Sequence, residues 1–332
     1  MTRDTLSDVL RSVRLRGAVF YYVSCGHEWA AEAPAAGEIA AAVMPGVEHV
    51  MEYHVITKGS GWAAVVGESP VRLGPGDIVM FPQGDPHVMS SAPGVRPGMF
   101  DAEWASATRN DPKPIFVTYH GAQSIPTSEP VPDAPTNVVC GFLGCDVRPF
   151  NPLIAGLPRL LHIRANGDSD WTGRLLQQAV EASQNKRPGV EAVLERMSEM
   201  MFVDAVRRYL DALPERSTGW LAGLRDRYVG RALALVHGEP ARDWTIEALA
   251  RDVALSRSAL HDRFVQFVGQ PPMQYLTQWR MQLAAGMLRE SHAPVNAIAL
   301  EVGYDSEAAF SRAFKRVTGS PPAAWRRERR AS

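Results

Sequence analysis

The sequence predicts a two-domain α+β chain: an N-terminal β-barrel with flanking helices, then an all-α domain in which a long helix joins two helix-turn-helix motifs. Three observations predict it. From about residue 17 to residue 165, short β-branched or aromatic runs alternate with Gly and Pro breakers, the pattern of a sandwich or barrel. The last third of the chain contains an internal repeat at an offset of 49–50 residues. Charge divides between the same two parts. Residues 221–332 hold 16 Lys and Arg against 11 Asp and Glu, a net of +5, while residues 1–220 hold 19 against 25, a net of −6. The whole-chain net charge of −1 over 332 residues hides that split. A basic domain attracts phosphate backbones or anionic surfaces.

The elements follow in order. Residues 4–16 read as a short helix. Strands are expected at 18–23, 50–57, 62–66, 78–81, 115–119 and 137–147. Residues 120–136, rich in Ser, Thr and breakers, read as an exposed loop. Helices are expected at 173–183 and 189–213. On the second, Val190, Val193, Leu194, Met197 and Met201 recur at helical spacing, followed by Val206, Tyr209 and Leu213. That broad apolar face suits packing on the helix's own barrel or contact with a second copy of the chain, and the spacing leaves both open. Residues 214–219 have the composition of a linker.

The repeat is clear residue by residue. Ile246-Glu247-Ala248-Leu249-Ala250 is matched by Val295-Asn296-Ala297-Ile298-Ala299, Val253 by Val302, and Leu260 and Phe264 by Phe310 and Phe314. Gly269-Gln270-Pro271-Pro272 is matched by Gly319-Ser320-Pro321-Pro322. Each copy reads as a short amphipathic helix, a tight turn and a second helix, with Ser256 as one N-cap and Asp305 or Ser306 as the other. Gly303 sits where the chain must turn. The outward residues of the second helices are Arg257, Ser258, His261 and Asp262 in one copy, and Glu307, Ser311, Arg312 and Lys315 in the other. Such side chains can reach base edges, and Arg is the commonest specific partner of guanine. Between the copies, residues 272–291 read as one helix, roughly 27–30 Å long at 1.5 Å per residue. A rod of that length separates two reading helices by about one turn of B-DNA, roughly 34 Å.

Residues 225–328 resemble the DNA-binding domain of the AraC/XylS family of bacterial transcription regulators. The resemblance rests on Trp244-Thr245-Ile246-Glu247-Ala248-Leu249-Ala250, Ser256-Arg257-Ser258-Ala259-Leu260, Val302-Gly303-Tyr304, Phe310-Ser311-Arg312-Ala313-Phe314-Lys315 and Gly319-Ser320-Pro321-Pro322. It implies DNA contacts from Arg257, Ser258, His261 and Asp262, and from Glu307, Ala308, Ala309, Ser311 and Arg312, with Lys315 alongside. With Asp262 on its reading face, the first helix is expected to read bases less directly and to hold a smaller share of specificity.

Gly76 to His87 fits G-x5-P-x-G-x2-H and resembles the second cupin motif. Gly46, Glu52, His54 and Gly59 resemble a decayed first motif, with Glu52 where a His is usual, Lys58 near the place of the missing Glu, and Ser91 in place of an Asn. The expected organisation is therefore a cupin-like effector domain at 1–168, a helical dimerisation or packing region at 169–213, a linker at 214–222 and an AraC-type DNA-binding domain at 223–332.

Glu52 and His54 are two apart on a strand and face the same way. With His87 they form a candidate site for a divalent metal such as Zn, Ni or Fe. The bland reading is polar residues hydrogen-bonded inside a barrel. Cys25, Cys140 and Cys145 are redox candidates, although Cys140 and Cys145 are an odd number apart and face opposite sides of one strand. The N-terminus leads into no apolar run and no stretch approaches a membrane span, so a cytoplasmic protein is expected. The expected partners are double-stranded DNA, a small-molecule effector, a second copy of the chain in a homodimer and, for an activator, RNA polymerase. No enzymatic activity and no membrane partner are expected. The rival readings are a metal-dependent cupin enzyme with an accessory DNA-binding domain, a cysteine-based redox regulator and a ligand-free DNA organiser.

Overall fold

The computed structural model describes residues 4–111, 113–165, 171 and 188–331; the helix expected at 173–183 lies outside them. The strands are β1 (Arg16–Ala33), β2 (His49–Lys58), β3 (Gly61–Val65), β4 (Val71–Leu73), β5 (Ile78–Phe81), β6 (His87–Ser90), β7 (Gly98–Met99), β8 (Ile115–Gly121), β9 (Gln123–Thr127), β10 (Thr136–Cys145) and β11 (Leu161–Ile163). The first helices are α1 (Thr5–Ser12), α2 (Ala36–Val43), α3 (Ala102–Thr108), α4 (Pro152–Gly156) and α5 (Val190–Ala212). They are followed by α6 (Trp220–Arg225), α7 (Val229–Gly238), α8 (Ile246–Asp252), α9 (Arg257–Val268), α10 (Pro272–Glu290), α11 (Val295–Glu301), α12 (Glu307–Thr318) and α13 (Pro322–Ala331). Among the described residues no helix is long and apolar enough to cross a membrane. Contacts divide the chain into two units, one of Leu15–Asp146 with Leu157–Asp211, the other of Met1–Arg14, Val147–Gly156 and Ala212–Ser332.

The first unit is a curled sheet in the order β11-β5-β2-β10-β1-β6-β3-β4, with β7 and β8 also on β1, and β9 on β8. β1 runs for 18 residues and belongs to both halves of the curl. Its first part pairs with β10 and β8, and Ala30–Ala33 pair with β6. Register breaks between Ala18 and Phe20 and between Cys25 and Trp29 let it bend, as bulges do. All six expected strands are present, the first extended to Ala33. The expected loop at 120–136 contains β9, an exposed edge strand whose Gln, Ser and Pro residues give it a loop's composition.

β2 is buried along almost its whole length because both faces are covered. Glu52 and His54 line the barrel cavity, while Tyr53 turns outward and its hydroxyl lies 2.8 Å from Ser198 Oγ on α5. α5 buries Leu194, Met197, Met201, Phe202 and Val206. It also lies against Gly17 of β1, where a Cβ would come within 2.6 Å of the Glu195 carbonyl. Val193, part of the broad apolar face, is 50% exposed, so the stripe buried within the chain is narrower than that face.

The second unit is helical. Asp4 caps α1 by accepting a hydrogen bond from the Ser7 N–H, and Leu6, Val9 and Val13 are buried. α1 packs against α7 and α10, so the N-terminal helix joins the helical unit although its sequence precedes the barrel. The buried Gln282 of α10 ties two distant segments together. Its Nε2 donates to the Ser12 carbonyl and its Oε1 accepts from the Phe150 N–H, each at 3.1 Å. The Tyr275 hydroxyl accepts from Trp220 Nε1 at 2.9 Å and lies 2.8 Å from His237 Nε2. The irregular stretch after α5 ends at Gly219, since Trp220, within the expected linker, already begins α6.

The two repeat copies are α8–α9 and α11–α12. Ser256 and Ser306 cap the second helices by accepting from the Ala259 and Ala309 N–H groups. Gly269 and Gly319 close them in the left-handed conformation, with φ of 77° and 84°. α10, 19 residues and therefore roughly 28 Å long, contacts a second helix of each copy.

Candidate functional site

The barrel encloses a cavity that admits water-molecule centres over about 90 Å³, several times what one water needs. β2 supplies Glu52 and His54, β6 supplies His87, and β10 supplies Cys140. One ligand atom from each of Glu52, His54 and His87 falls within 4.8 Å of the others, and all three residues are buried. The three side chains read from the sequence as a set thus meet in space, because β2 and β6 both face the barrel interior.

Their protons can be placed. Burial, with His87 beside it, holds His54 well below the usual imidazole range, and burial holds His87 down to about 4. Both rings are therefore neutral near pH 7, each with one N–H and one lone pair. His87 Nδ1 donates to the Asp85 carbonyl at 3.0 Å, which leaves its Nε2 as acceptor. His54 Nε2–H donates to it at 2.8 Å, and His54 Nδ1 then accepts from the Cys140 thiol, 2.9 Å away. The result is a directed chain, Cys140 to His54 to His87 to Asp85. Phe81 stacks on His87 with ring centroids 3.6 Å apart. Burial pushes the Glu52 carboxyl up to about 8, and its Oε2 lies 3.6 Å from His87 Nε2. Glu52 Oε1 and the Tyr21 hydroxyl are buried without a hydrogen-bond partner among the described residues. Sequence reading missed Tyr21, the Asp85 carbonyl and the His54–Cys140 contact. None has a signal, since each depends on which strands become neighbours.

The three cysteines form no disulfide. In the β1–β10 register, Tyr21 faces Cys140 and Thr136 faces Cys25. The two backbone positions thus sit four residues apart along the pair, roughly 13 Å, beyond the roughly 7 Å Cα separation a disulfide spans. Cys140 and Cys145 are five apart on one strand. Burial raises the Cys25 and Cys140 thiols and pushes Cys145 up to about 12, so all three are protonated near pH 7.

On α9, Arg257, Ser258, His261 and Asp262 are exposed, but the charges are partnered. Arg257 pairs with Glu247 at 3.1 Å and His261 Nδ1 lies 3.1 Å from Asp262. On α12, Glu307, Ala308, Arg312 and Lys315 are exposed, while Ala309 and Ser311 are partly covered. Neither Arg312 nor Lys315 makes an ion pair among the described residues. Arg263, which the sequence did not single out, is half-buried and held by Asp226 through its Nε and Nη2.

Comparison with known proteins adds two family matches and several relatives. The Cupin family model matches residues 4–211, and the Helix-turn-helix domain model matches residues 249–328. An AraC-like transcription regulator of Streptomyces lividans is 31% identical over 326 residues, covering 98% of each chain. The HTH-type transcriptional regulator AlkR of Acinetobacter baylyi is 27% identical, covering 98% of this chain and 99% of its own. Among solved structures, the DNA-binding domain of AdpA, in complex with a target DNA, is 30% identical. It covers 32% of this chain and 95% of its own, with a TM-score of 0.31.

Proposed function

We propose, from the premise that this chain belongs to the AraC-like transcription regulators and carries an N-terminal cupin domain, that an effector bound in the barrel sets how its two reading helices engage an operator. The chain is a DNA-binding regulator. The observation that carries the assignment of the reading face is the pair of matched helices, α9 and α12, on a common α10. Arg312, Ser311, Lys315, Glu307, Ala308 and Ala309 are the proposed contacts from α12, and Arg257, Ser258, His261 and Asp262 those from α9. Fluorescence anisotropy with operator duplexes at stepped salt tests this. Removing a base-reading residue lowers selectivity, whereas removing a phosphate contact flattens the salt slope.

The barrel serves binding rather than catalysis. The effector acts only through a difference in affinity between two arrangements of the chain. β1 lines the cavity with Tyr21, Val23 and Trp29, and the chain runs from α1 straight into it. Gln282, which holds the end of α1 on α10, is therefore a proposed positioning residue for that signal. The remaining partners of the reading are a second copy of the chain and, for an activator, RNA polymerase.

A second reading for the same cavity is a divalent metal on Glu52, His54 and His87. The convergence of their donor atoms within 4.8 Å favours it, as do the outer partners on both rings. His54 would then move its proton to Nδ1, toward the Cys140 sulfur, and free Nε2. Metal content of protein purified without chelator tests this reading. About one equivalent of Zn, Ni or Fe, lost in the His87→Ala protein, supports it; its absence removes it.

A further inference from the structure

The ionisable side chains lining the barrel cavity, apart from its two histidines, tyrosines and cysteine, are carboxyl groups. Glu32, Glu52 and Asp101 contribute these groups, and among the described residues no Lys or Arg lines it. His54 and His87 are hydrogen-bonded to each other and add no positive charge as neutral rings. The wall is aromatic. Tyr21 forms a corner with Trp104, centroids 5.8 Å apart and tilted 36°, and with Phe142, 6.4 Å apart and edge-on at 79°. These three rings and the Glu52 carboxyl line one cavity, and aromatic faces carry negative charge. Recognition of ammonium groups uses that combination. Three orphaned buried groups, Glu52 Oε1, the Tyr21 hydroxyl and Trp29 Nε1, belong to the same wall. A carboxyl without a partner at the end of an aromatic cavity lacks a cationic hydrogen-bond donor. An anion would find the Tyr21 and Trp29 donors but no cationic side chain to offset its charge, and a neutral hydrocarbon would leave all three polar groups unpaired.

We infer that the cavity selects an organic cation: a compact ammonium-bearing molecule that places its charge at Glu52 and its apolar body against Tyr21, Trp104 and Phe142. The inference rests on the reading of the barrel as the effector pocket and names the chemical class of that effector. A divalent metal would use the same carboxylate but would leave the aromatic corner without a role, so the organic cation accounts for more of the wall.

The test uses full-length protein dialysed against a chelator and three probes of nearly one shape: choline, its neutral isostere 3,3-dimethylbutan-1-ol and the anion 3,3-dimethylbutanoate. Quenching of tryptophan fluorescence, to which Trp29 and Trp104 in the cavity contribute, reports binding. Choline is expected to bind roughly tenfold or more tightly than the alcohol, with no binding of the anion. Glu52→Gln is expected to abolish that preference while leaving the alcohol's affinity unchanged, and Trp104→Leu to weaken choline more than the alcohol. Circular dichroism and retained DNA affinity show that each variant is folded. Equal or reversed preference between choline and the alcohol overturns the inference, as does absence of choline binding. So does zinc that binds stoichiometrically at Glu52 with choline neither binding nor competing. The parent reading is judged separately: any compound that binds the barrel and changes operator affinity upholds it, even if the charge preference fails.

Discussion

The two helix-turn-helix copies share a skeleton down to their caps, yet they present different charge to solvent. Both second helices have 12 residues, a Ser N-cap and a left-handed Gly at the C-terminus. The tight turns differ by one residue type: Gly303 at φ 86° in the second copy, Ala254 at φ 60° in the first. The first short helix is capped by the Thr245 side chain, while the second starts at Pro294 without a side-chain cap. On the outer faces, Arg257 is tied to Glu247 and Asp262 sits beside His261, whereas Arg312 and Lys315 stand unpaired among the described residues. The skeleton is what the fold requires of each copy. The outer face is free to vary, and on the proposed function its difference would place more of the DNA-reading task on α12 than on α9.

The largest expected effect comes from Gly303→Ala. A Cβ there would lie 2.7 Å from the Ala241 carbonyl oxygen and 2.8 Å from Ala241 Cα, both backbone atoms, at a φ that disfavours side chains. A loss of about 2–4 kcal/mol of stability is expected in denaturant unfolding. An unchanged unfolding midpoint would mean the second turn is not the strict position described above. Next, Arg312→Ala is expected to cost about 1–3 kcal/mol of operator binding and to relax specificity at one base pair. Arg257→Ala is expected to cost less, under about 1 kcal/mol, because its exposed ion pair with Glu247 must be given up on binding; parallel anisotropy titrations compare the two. The smallest effect is Ala254→Gly. Relief of the left-handed Ala should raise stability by about 0.5–1 kcal/mol with operator affinity unchanged. A destabilised Ala254→Gly protein would show that the first turn is not strained.

Much of this was legible in the sequence, for reasons that differ between the units. The repeat, its caps and its turns are local, so Ser256, Ser306 and Gly303 declare themselves within a few residues of what they do. The metal-ligand candidates were also readable, because Glu52 and His54 share one strand face and His87 closes a spaced motif. Other features were not. Cys140 reaches His54 only because β10 pairs with β2, with Cys140 opposite His54. Tyr21 meets Trp104 through a sheet that curls on itself, and Gln282 binds Ser12 across 270 positions of chain. β9 was hidden by its composition, and the docking of α1 on the helical unit by its distance in sequence. Each of these depends on long-range pairing, which residue patterns do not encode one element at a time.

On the proposed function, α12 does more of the sequence reading than α9. Selection of bound duplexes from a random pool, with the full-length protein and its Arg312→Ala and Arg257→Ala variants, tests it most directly. The predicted result is two half-sites about one helical turn apart. Arg312→Ala should erase base preference at a position in one of them, and Arg257→Ala should leave the pattern nearly intact. Loss of preference with Arg257→Ala but not with Arg312→Ala would contradict it.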